Sequence, residues 1–172
     1  MIRRDHLDVR ERAPRGQRGA SMLGAAIGVF AVGLGLAIAI PAVQAALRNS
    51  RAADVAGDLR QFAVAFEAHA RQTGSLPPAT EAAGEIPAGM QSQPGANWTR
   101  GSATGRYLWA PDTLQRGRRY RAAIVLWRDH TRLRANERRL LEEIDRRVDD
   151  GYLLSGKFQL GYRDQAFFVI EP

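Results

Sequence analysis

Cysteine is absent from the 172-residue chain. Its absence excludes disulfides, thiolate catalysis and zinc sites with cysteine ligands, and it is neutral about the compartment. Histidine is scarce, because only His6, His69 and His130 are present and they stand far apart. None of them has a second histidine or a carboxylate pair at metal-ligand spacing. We therefore predict no metal site and no cofactor, and we interpret His69 as a packing or surface residue.

The chain also lacks catalytic signatures. It contains no P-loop, no nucleophile elbow, no HExxH motif and no dinucleotide fingerprint. We therefore predict that the protein is not an enzyme.

Positive charge is present but unevenly distributed. The formal net charge is +7, and residues 1–19 carry six arginines against Asp5, Asp8 and Glu11. Almost half of the excess therefore lies in a short N-terminal leader. Basicity of the whole chain would otherwise point to a nucleic acid partner, and here the leader has another explanation.

The longest apolar run follows that leader. Residues 20–47 contain no charged residue, and Gln44 is their one strongly polar side chain. About 20 apolar residues suffice for a helix that crosses a bilayer. The preceding arginines predict a cytoplasmic N-terminus. Two alternatives stay open on this pattern alone: a secretory signal peptide cut after Val43-Gln44-Ala45, with an apolar region beyond the usual length of about 7–15 residues, or an uncut signal anchor.

The segment that begins at Gly19 resembles the N-terminal region of type IV pilins and type II secretion pseudopilins. Precursors of that family have a basic leader ending in glycine, which a prepilin peptidase removes, and then an apolar helix. With Ala20 as the first mature residue, Pro41 falls on the twenty-second mature position, where the family has a proline. The stretch "TGSLPP", residues 73–78, resembles the turn that closes the family's long helix. The resemblance covers about residues 15–78.

The resemblance implies roles for single residues. Gly19 and Ala20 would flank the processed bond, and Pro41 would let the helix loosen when a subunit leaves the membrane for a fibre. Gly24 stands at the fifth mature position, where the family has a glutamate that meets the N-terminal amine of a neighbouring subunit. A buried charge needs such a partner. The family's large minor pseudopilin at the tip also lacks this glutamate, so Gly24 fits either a tip role or a divergent lineage.

Beyond the apolar run the pattern is amphipathic. Val55, Leu59, Phe62 and Phe66 recur at spacings of four, three and four residues, which indicates one apolar stripe on a helix. A continuous helix over residues 20–73 would be about 80 Å long, more than the remaining residues can cover. We expect the stripe to hold the head on the helix. The polar residues around it are interpreted as a solvated surface: Asp54, Asp58, Arg60, Glu67 and Arg71.

The C-terminal part changes character. Residues 75–97 hold four prolines and three glycines and are predicted to be a loop. Strands are predicted over 106–110 and 120–127, a helix over 132–148, and a hairpin from 157–162 and 165–170. The predicted fold is α+β and pilin-like: a long N-terminal transmembrane and amphipathic helix packed on a small antiparallel β-sheet, with one extra C-terminal helix.

The predicted organisation has four parts. They are a cytoplasmic leader over 1–19, a transmembrane and assembly half-helix over 20–47, an amphipathic half-helix over 48–74 and a periplasmic head over 75–172.

Two further clusters are candidate binding sites. Four arginines near Trp109, Tyr120 and Trp127 could grip phosphates and stack bases, or could form a solvated charged rim: Arg116, Arg118, Arg119 and Arg121. Asp149 and Asp150 precede Gly151 and are interpreted as part of a helix-terminating turn. A calcium site is the alternative there, although the alternating oxygen ligands of an EF-hand are missing.

These patterns and the resemblance together predict a structural subunit, a pseudopilin or minor pilin of a type II secretion pseudopilus or type IV pilus. Its expected partners are a prepilin peptidase, sister pilin subunits and inner-membrane lipid. The expected location is the bacterial inner membrane, with a single pass and a periplasmic head, and then the pilus. The alternatives are a DNA-binding minor pilin for uptake and a signal-anchored periplasmic protein that does not polymerise.

Overall fold

The computed structural model describes residues 18–90, 93–129 and 132–171, so most of the predicted leader, His6 and His130 lie outside the described residues. The chain divides into two compact units, Met1–Gln44 and Ala45–Pro172. The elements in chain order are α1 (Arg18–Thr73), α2 (Ala96–Arg100), β1 (Arg106–Gln115), β2 (Arg118–Trp127), α3 (Ala135–Val148), β3 (Phe158–Leu160), a 3₁₀ turn (Tyr162–Asp164) and β4 (Ala166–Glu171). The fold is α+β, as predicted.

The described part of the first unit is the N-terminal portion of α1, which contains Pro41. The large apolar side chains whose exposure is described in this unit are exposed, at 54–75% of their surface: Ile27, Val29, Phe30, Ile40 and Val43. Among the residues that the structure describes, no helix combines the length and the apolar character needed to cross a membrane.

Helix α1 ends at Thr73, where the sequence predicts its end. The Thr73 hydroxyl donates to the His69 carbonyl at 2.9 Å, and the Gly74 N–H donates to the Ala70 carbonyl at 2.8 Å. Gly74 has φ +79°, a conformation that glycine adopts without steric cost and that commonly ends helices. The chain therefore leaves the helix at this glycine.

The sheet has four antiparallel strands in the order β1-β2-β4-β3. Strand β1 continues to Gln115, so the predicted end at residue 110 is wrong. Proline usually ends a β-strand because it has no N–H to donate. Because β1 is an edge strand, Pro111 can lie within it without the loss of a hydrogen bond between strands. Strands β1 and β2 are joined by Arg116 and Gly117, both with positive φ, which suits a tight two-residue hairpin turn.

The C-terminal elements follow the predicted order with shifted bounds. Helix α3 begins at Ala135, three residues later than predicted, where the Arg134 N–H donates to Glu137 Oε2 at 2.8 Å. That contact satisfies a backbone donor at the helix start. Strands β3 and β4 form the predicted hairpin around residues 163–164. The short helix α2 was not predicted, and it brings Trp98 into the core.

The core of the second unit lies between one face of the sheet, α1 and α3. Its centre is an aromatic cluster in which Phe66 stacks on Trp109 with ring centroids 3.8 Å apart, and Phe62 meets Trp98 and Tyr107 edge-on at 5.0 and 4.7 Å. Such ring pairs add to the stabilisation that burial alone provides. Leu140, Leu141 and Ile144 of α3 join the same cluster. His69 is buried, as one of its two interpretations expects.

The predicted loop over 75–97 is tied to this cluster by indole nitrogens. Trp98 Nε1 donates to the Glu85 carbonyl at 2.7 Å, and Trp109 Nε1 donates to the Pro77 carbonyl at 2.9 Å. Buried indole N–H groups need partners. The loop supplies those partners, so its course is set by the two tryptophans.

Replacement of Phe66 by alanine tests the central packing contact. Phe66→Ala is expected to lower the free energy of unfolding by about 3–5 kcal/mol, because it leaves a cavity against Trp109. Urea unfolding of the full-length chain in mild detergent, followed by tryptophan fluorescence, measures this loss. Val64→Ala is the matched control, since Val64 is 62% exposed on the same helix and should change stability by less than about 0.5 kcal/mol. Equal losses in both variants would contradict the assignment of the core.

Candidate functional site

The predicted processing residues lie at the start of α1. Gly19, Ala20 and Gly24 fall within the helix, which begins at Arg18, and their side-chain surroundings lie outside the described residues. Their roles stay predictions. Pro41 also lies within α1 and is exposed.

The four stripe residues of α1 form the contact between helix and head. Val55, Leu59, Phe62 and Phe66 are 0–1% exposed and belong to the main core cluster. They are joined there by Ala52 from the same helix face and by residues of the sheet. The helix therefore supplies one wall of the core, which is what the spacing of its apolar residues predicts.

A polar contact fixes the position of α1 against the sheet. Asp58 Oδ2 accepts a hydrogen bond from the Tyr107 hydroxyl at 2.9 Å, and Asp58 Oδ1 accepts one from Asn97 Nδ2 at 2.8 Å. Burial raises the pKa of the Tyr107 phenol, and the negative charge of Asp58 raises it further. The phenol therefore remains protonated and donates.

This contact corrects the sequence-based interpretation of Asp58 as a solvated surface residue. Asp58 is half-buried and joins α1, α2 and β1 through two side-chain hydrogen bonds. The sequence shows that Asp58 flanks the apolar stripe. It does not show which residues of later elements reach it, because these stand 39 and 49 positions away.

A second polar contact that the sequence does not predict involves Gln165 and Arg128. Gln165 is buried and makes two hydrogen bonds with the backbone of Arg128, one from Arg128 N at 2.9 Å and one to Arg128 O at 3.0 Å. The Arg128 side chain is also buried, lies 3.9 Å from Glu137 Oε2 and donates to the Asp164 carbonyl. These bonds fasten the end of β2 to the connection before β4.

The four predicted patch arginines divide between two environments. Arg116 and Arg118 line a groove of about 500 Å³ together with Tyr120 and Lys157. Arg119 lies 3.9 Å from Asp112, and Arg121 lies 3.4 Å from Glu171. The tight turn at 116–117 and strand alternation separate neighbouring side chains in this way. We call the groove lined by Arg116, Arg118, Tyr120 and Lys157 the basic groove.

The aromatic residues near the patch are also separated. Trp109 is 1% exposed and stacked on Phe66 in the core, so the base-stacking alternative does not apply to Trp109. Trp127 does not line the basic groove, and Tyr120 does. Among the described residues, the side chains of Arg116, Arg118 and Lys157 have no ion pair. The groove can therefore attract an anion.

No protein-family model, no curated protein and no solved structure matches the chain. Its site residues are therefore interpreted from their own geometry and from the resemblance of the N-terminal segment.

A double-mutant cycle tests the contact between Asp58 and Tyr107. Asp58→Ala is expected to cost about 1–3 kcal/mol of unfolding free energy, because the buried phenol loses its acceptor. In a Tyr107→Phe background the same change should cost less, with a coupling of about 0.5–3 kcal/mol. Asp54→Ala, an exposed aspartate one turn earlier, serves as the control and should be close to neutral. Additive losses in the cycle would rule out the contact.

Proposed function

We propose that the chain is a structural subunit of a bacterial type II secretion pseudopilus or type IV pilus, a pseudopilin or minor pilin. A prepilin peptidase would cut it after Gly19. It would then stay in the inner membrane with a cytoplasmic N-terminus and a periplasmic head until it joins sister subunits. Its work is assembly, and we propose no catalysis.

One observation carries this proposal: the apolar side chains of helix α1 are buried in one part of the helix and exposed in another. In the second unit the stripe that ends at Phe66 is buried by the head. Between Ile27 and Leu47 the large apolar side chains with described exposure are half to three-quarters exposed. Exposed apolar surface of this extent marks a site that another apolar surface covers. Lipid and then the same segment of sister subunits are the partners that a pilin-like subunit would use.

The amphipathic part of α1 and the four-stranded antiparallel sheet also support the proposal. A head fastened to a helix by one buried stripe leaves the rest of the helix surface available for lateral packing. Gly24 stands where the pilin family has a glutamate that pairs with the N-terminal amine of a neighbouring subunit. Its presence supports either a tip position, with no subunit above, or a lineage that assembles without this ion pair.

Determination of the mature N-terminus tests the processing step. In a bacterium with a prepilin peptidase, the full-length chain is expected to begin at Ala20, and in a strain without that peptidase it should begin at Met1. Gly19→Val should leave the chain uncut. Gly16→Val is the matched control, because Gly16 is the other glycine of the leader's last residues and its replacement should leave cleavage intact.

Each alternative N-terminus has a different meaning. A chain that begins at Ala46 would be a secreted domain freed from a signal peptide, and a chain that begins at Met1 despite the peptidase would be an uncut anchor. Either result would contradict the proposed function.

The basic groove supports a second candidate function, a DNA-binding minor pilin for uptake. Two arginines without ion pairs among the described residues lie there beside Lys157 and Tyr120. Such a cluster can neutralise phosphates, and it would release their counterions.

Salt-dependent DNA binding tests this second function. With three phosphate contacts, the logarithm of the affinity of the full-length chain for duplex DNA should fall with the logarithm of salt concentration with a slope of about −3. Arg118→Ala should weaken binding and reduce the slope by about one. Arg121→Ala is the control, because Arg121 is paired with Glu171. A chain that does not bind DNA at low salt, or variants with equal effects, would exclude the groove as a DNA site.

A further inference from the structure

Three carboxylates converge where α3 ends. Asp145 lies in the last turn of α3, Asp149 is the residue that caps the helix, and Asp150 follows it. One carboxylate oxygen from each residue lies within 4.8 Å of the other two. The spacing of four residues between Asp145 and Asp149 brings both to one side of the helix end. We call these three residues the carboxylate cluster.

The buried carboxylate of Asp145 is the feature of the cluster that indicates a ligand. Its exposed fraction is 0%, and neither Oδ1 nor Oδ2 has a hydrogen-bond partner among the described residues. A buried carboxylate without a partner is costly, so native structures almost always pair it or bind a metal with it. The apolar part of α3 places Asp145 here, since Leu141 and Ile144 beside it are buried in the core.

The surroundings of Asp145 disfavour its negative charge. Burial raises the pKa of Asp145, the negative charges of Asp150 and Asp149 raise it further, and the pKa reaches about 7. The backbone N–H of Gly151 acts in the opposite direction without reaching hydrogen-bond geometry. The carboxyl end of a helix carries partial negative charge, which adds to the repulsion.

The nearby basic side chains lie or make their contacts away from the carboxylate cluster. Arg146 and Arg147 both pair with Glu143, and the Arg60 guanidinium of α1 donates to the Arg147 backbone carbonyl. The Lys157 side chain lines the basic groove, while its backbone N–H donates to Asp149 Oδ2. Among the described residues, none forms an ion pair with any member of the carboxylate cluster.

The following loop holds the two outer carboxylates in place. Asp150 accepts hydrogen bonds from the Tyr152 N–H at 2.8 Å and from the Ser155 hydroxyl at 3.0 Å. Gly156 has φ +79°, and a Cβ atom at that position would overlap the Asp149 carboxylate. The loop can therefore close around Asp149 because residue 156 is glycine. This arrangement orients Asp149 and Asp150 before any ion binds.

We propose that Asp145, Asp149 and Asp150 bind one Ca²⁺ ion. All three ligands are carboxylates, which hard cations prefer over the softer transition metals. Calcium–oxygen distances of about 2.3–2.6 Å separate opposite ligands by about 5 Å, in agreement with the spacing of the cluster. Mg²⁺ demands shorter and stricter octahedral geometry. Water molecules would complete the coordination of the bound ion.

Bound Ca²⁺ would replace the proton on Asp145 and join α3 to the loop before β3. The same loop carries Ser155 and Lys157 of the basic groove, so the ion would also order one wall of that groove. The proposal concerns the head alone and does not rest on the proposed assembly function.

Calorimetric titration of the full-length chain with CaCl₂ in nonionic detergent at neutral to mildly alkaline pH tests the proposal. We expect one Ca²⁺ per chain and a rise in Tm with Ca²⁺ concentration, as for any ligand that binds the folded state alone. Asp145→Asn should weaken binding by at least about tenfold, because calcium affinity follows the number of charged ligands. The same variant should raise Tm in the absence of calcium, because it removes the buried charge.

Asp112→Asn is the matched control, since Asp112 is an exposed aspartate of the sheet outside the cluster and should leave Ca²⁺ binding unchanged. A wild-type chain without binding or a Tm shift at about 10 mM Ca²⁺, above the weakest common sites, would overturn the proposal. Equal Tm shifts in wild type and Asp145→Asn would also overturn it. Stabilisation by Mg²⁺ but not by Ca²⁺ would overturn the choice of ion.

The pH dependence supplies a second readout that needs no variant. Without calcium, Asp145 binds a proton more tightly in the folded than in the unfolded state, so its contribution makes the chain less stable as pH rises from about 4 to about 7. Calcium should remove most of this loss, and its affinity should fall below pH 7, where the proton competes.

Discussion

The head depends on one contact, the burial of the α1 stripe against the aromatic face of the sheet. Phe62 and Phe66 fill the space between Trp98, Tyr107 and Trp109, and without the helix these large rings would face water. Burial of aromatic surface is the largest favourable term available to a domain of this size without disulfides. The indole N–H groups then direct the long loop, so the irregular segment also follows from the helix contact.

Two acidic residues near this core differ in whether their carboxylates have hydrogen-bond donors. Asp58 lies at the helix–sheet contact and accepts hydrogen bonds from Tyr107 and Asn97, which offset the loss of water. Asp145 is more deeply buried, and no described residue donates a hydrogen bond to its carboxylate. The first arrangement orients the helix on the sheet, and the second leaves an electrostatic cost that a cation would relieve. Hence α3 carries both core residues and a candidate ion site.

The proposed assembly role assigns different partners to the two parts of α1. The part in the second unit is stabilised within the chain, and its stripe is no longer available to other molecules. The apolar residues of the first unit have no such cover among the described residues. Without the family's glutamate at position 24, an N-terminal amine of a sister subunit would have no carboxylate to meet there. Lateral packing by apolar contact would then have to hold the subunit in a fibre.

The sequence alone determined the features that depend on local periodicity and turn chemistry: the end of α1 at Thr73, the buried stripe, the presence of helix α3 and the hairpin of β3 and β4. The tertiary structure alone decided the length of β1, helix α2, the division of the arginines and the partners of Asp58. It also decided the convergence of Asp145 on Asp149 and Asp150. Edge position, strand register and long-range contacts govern these features. The hydrogen-bond partners and charges involved belong to residues that are distant in the sequence, or that face the same side only after the chain has folded, so local sequence patterns do not reveal them.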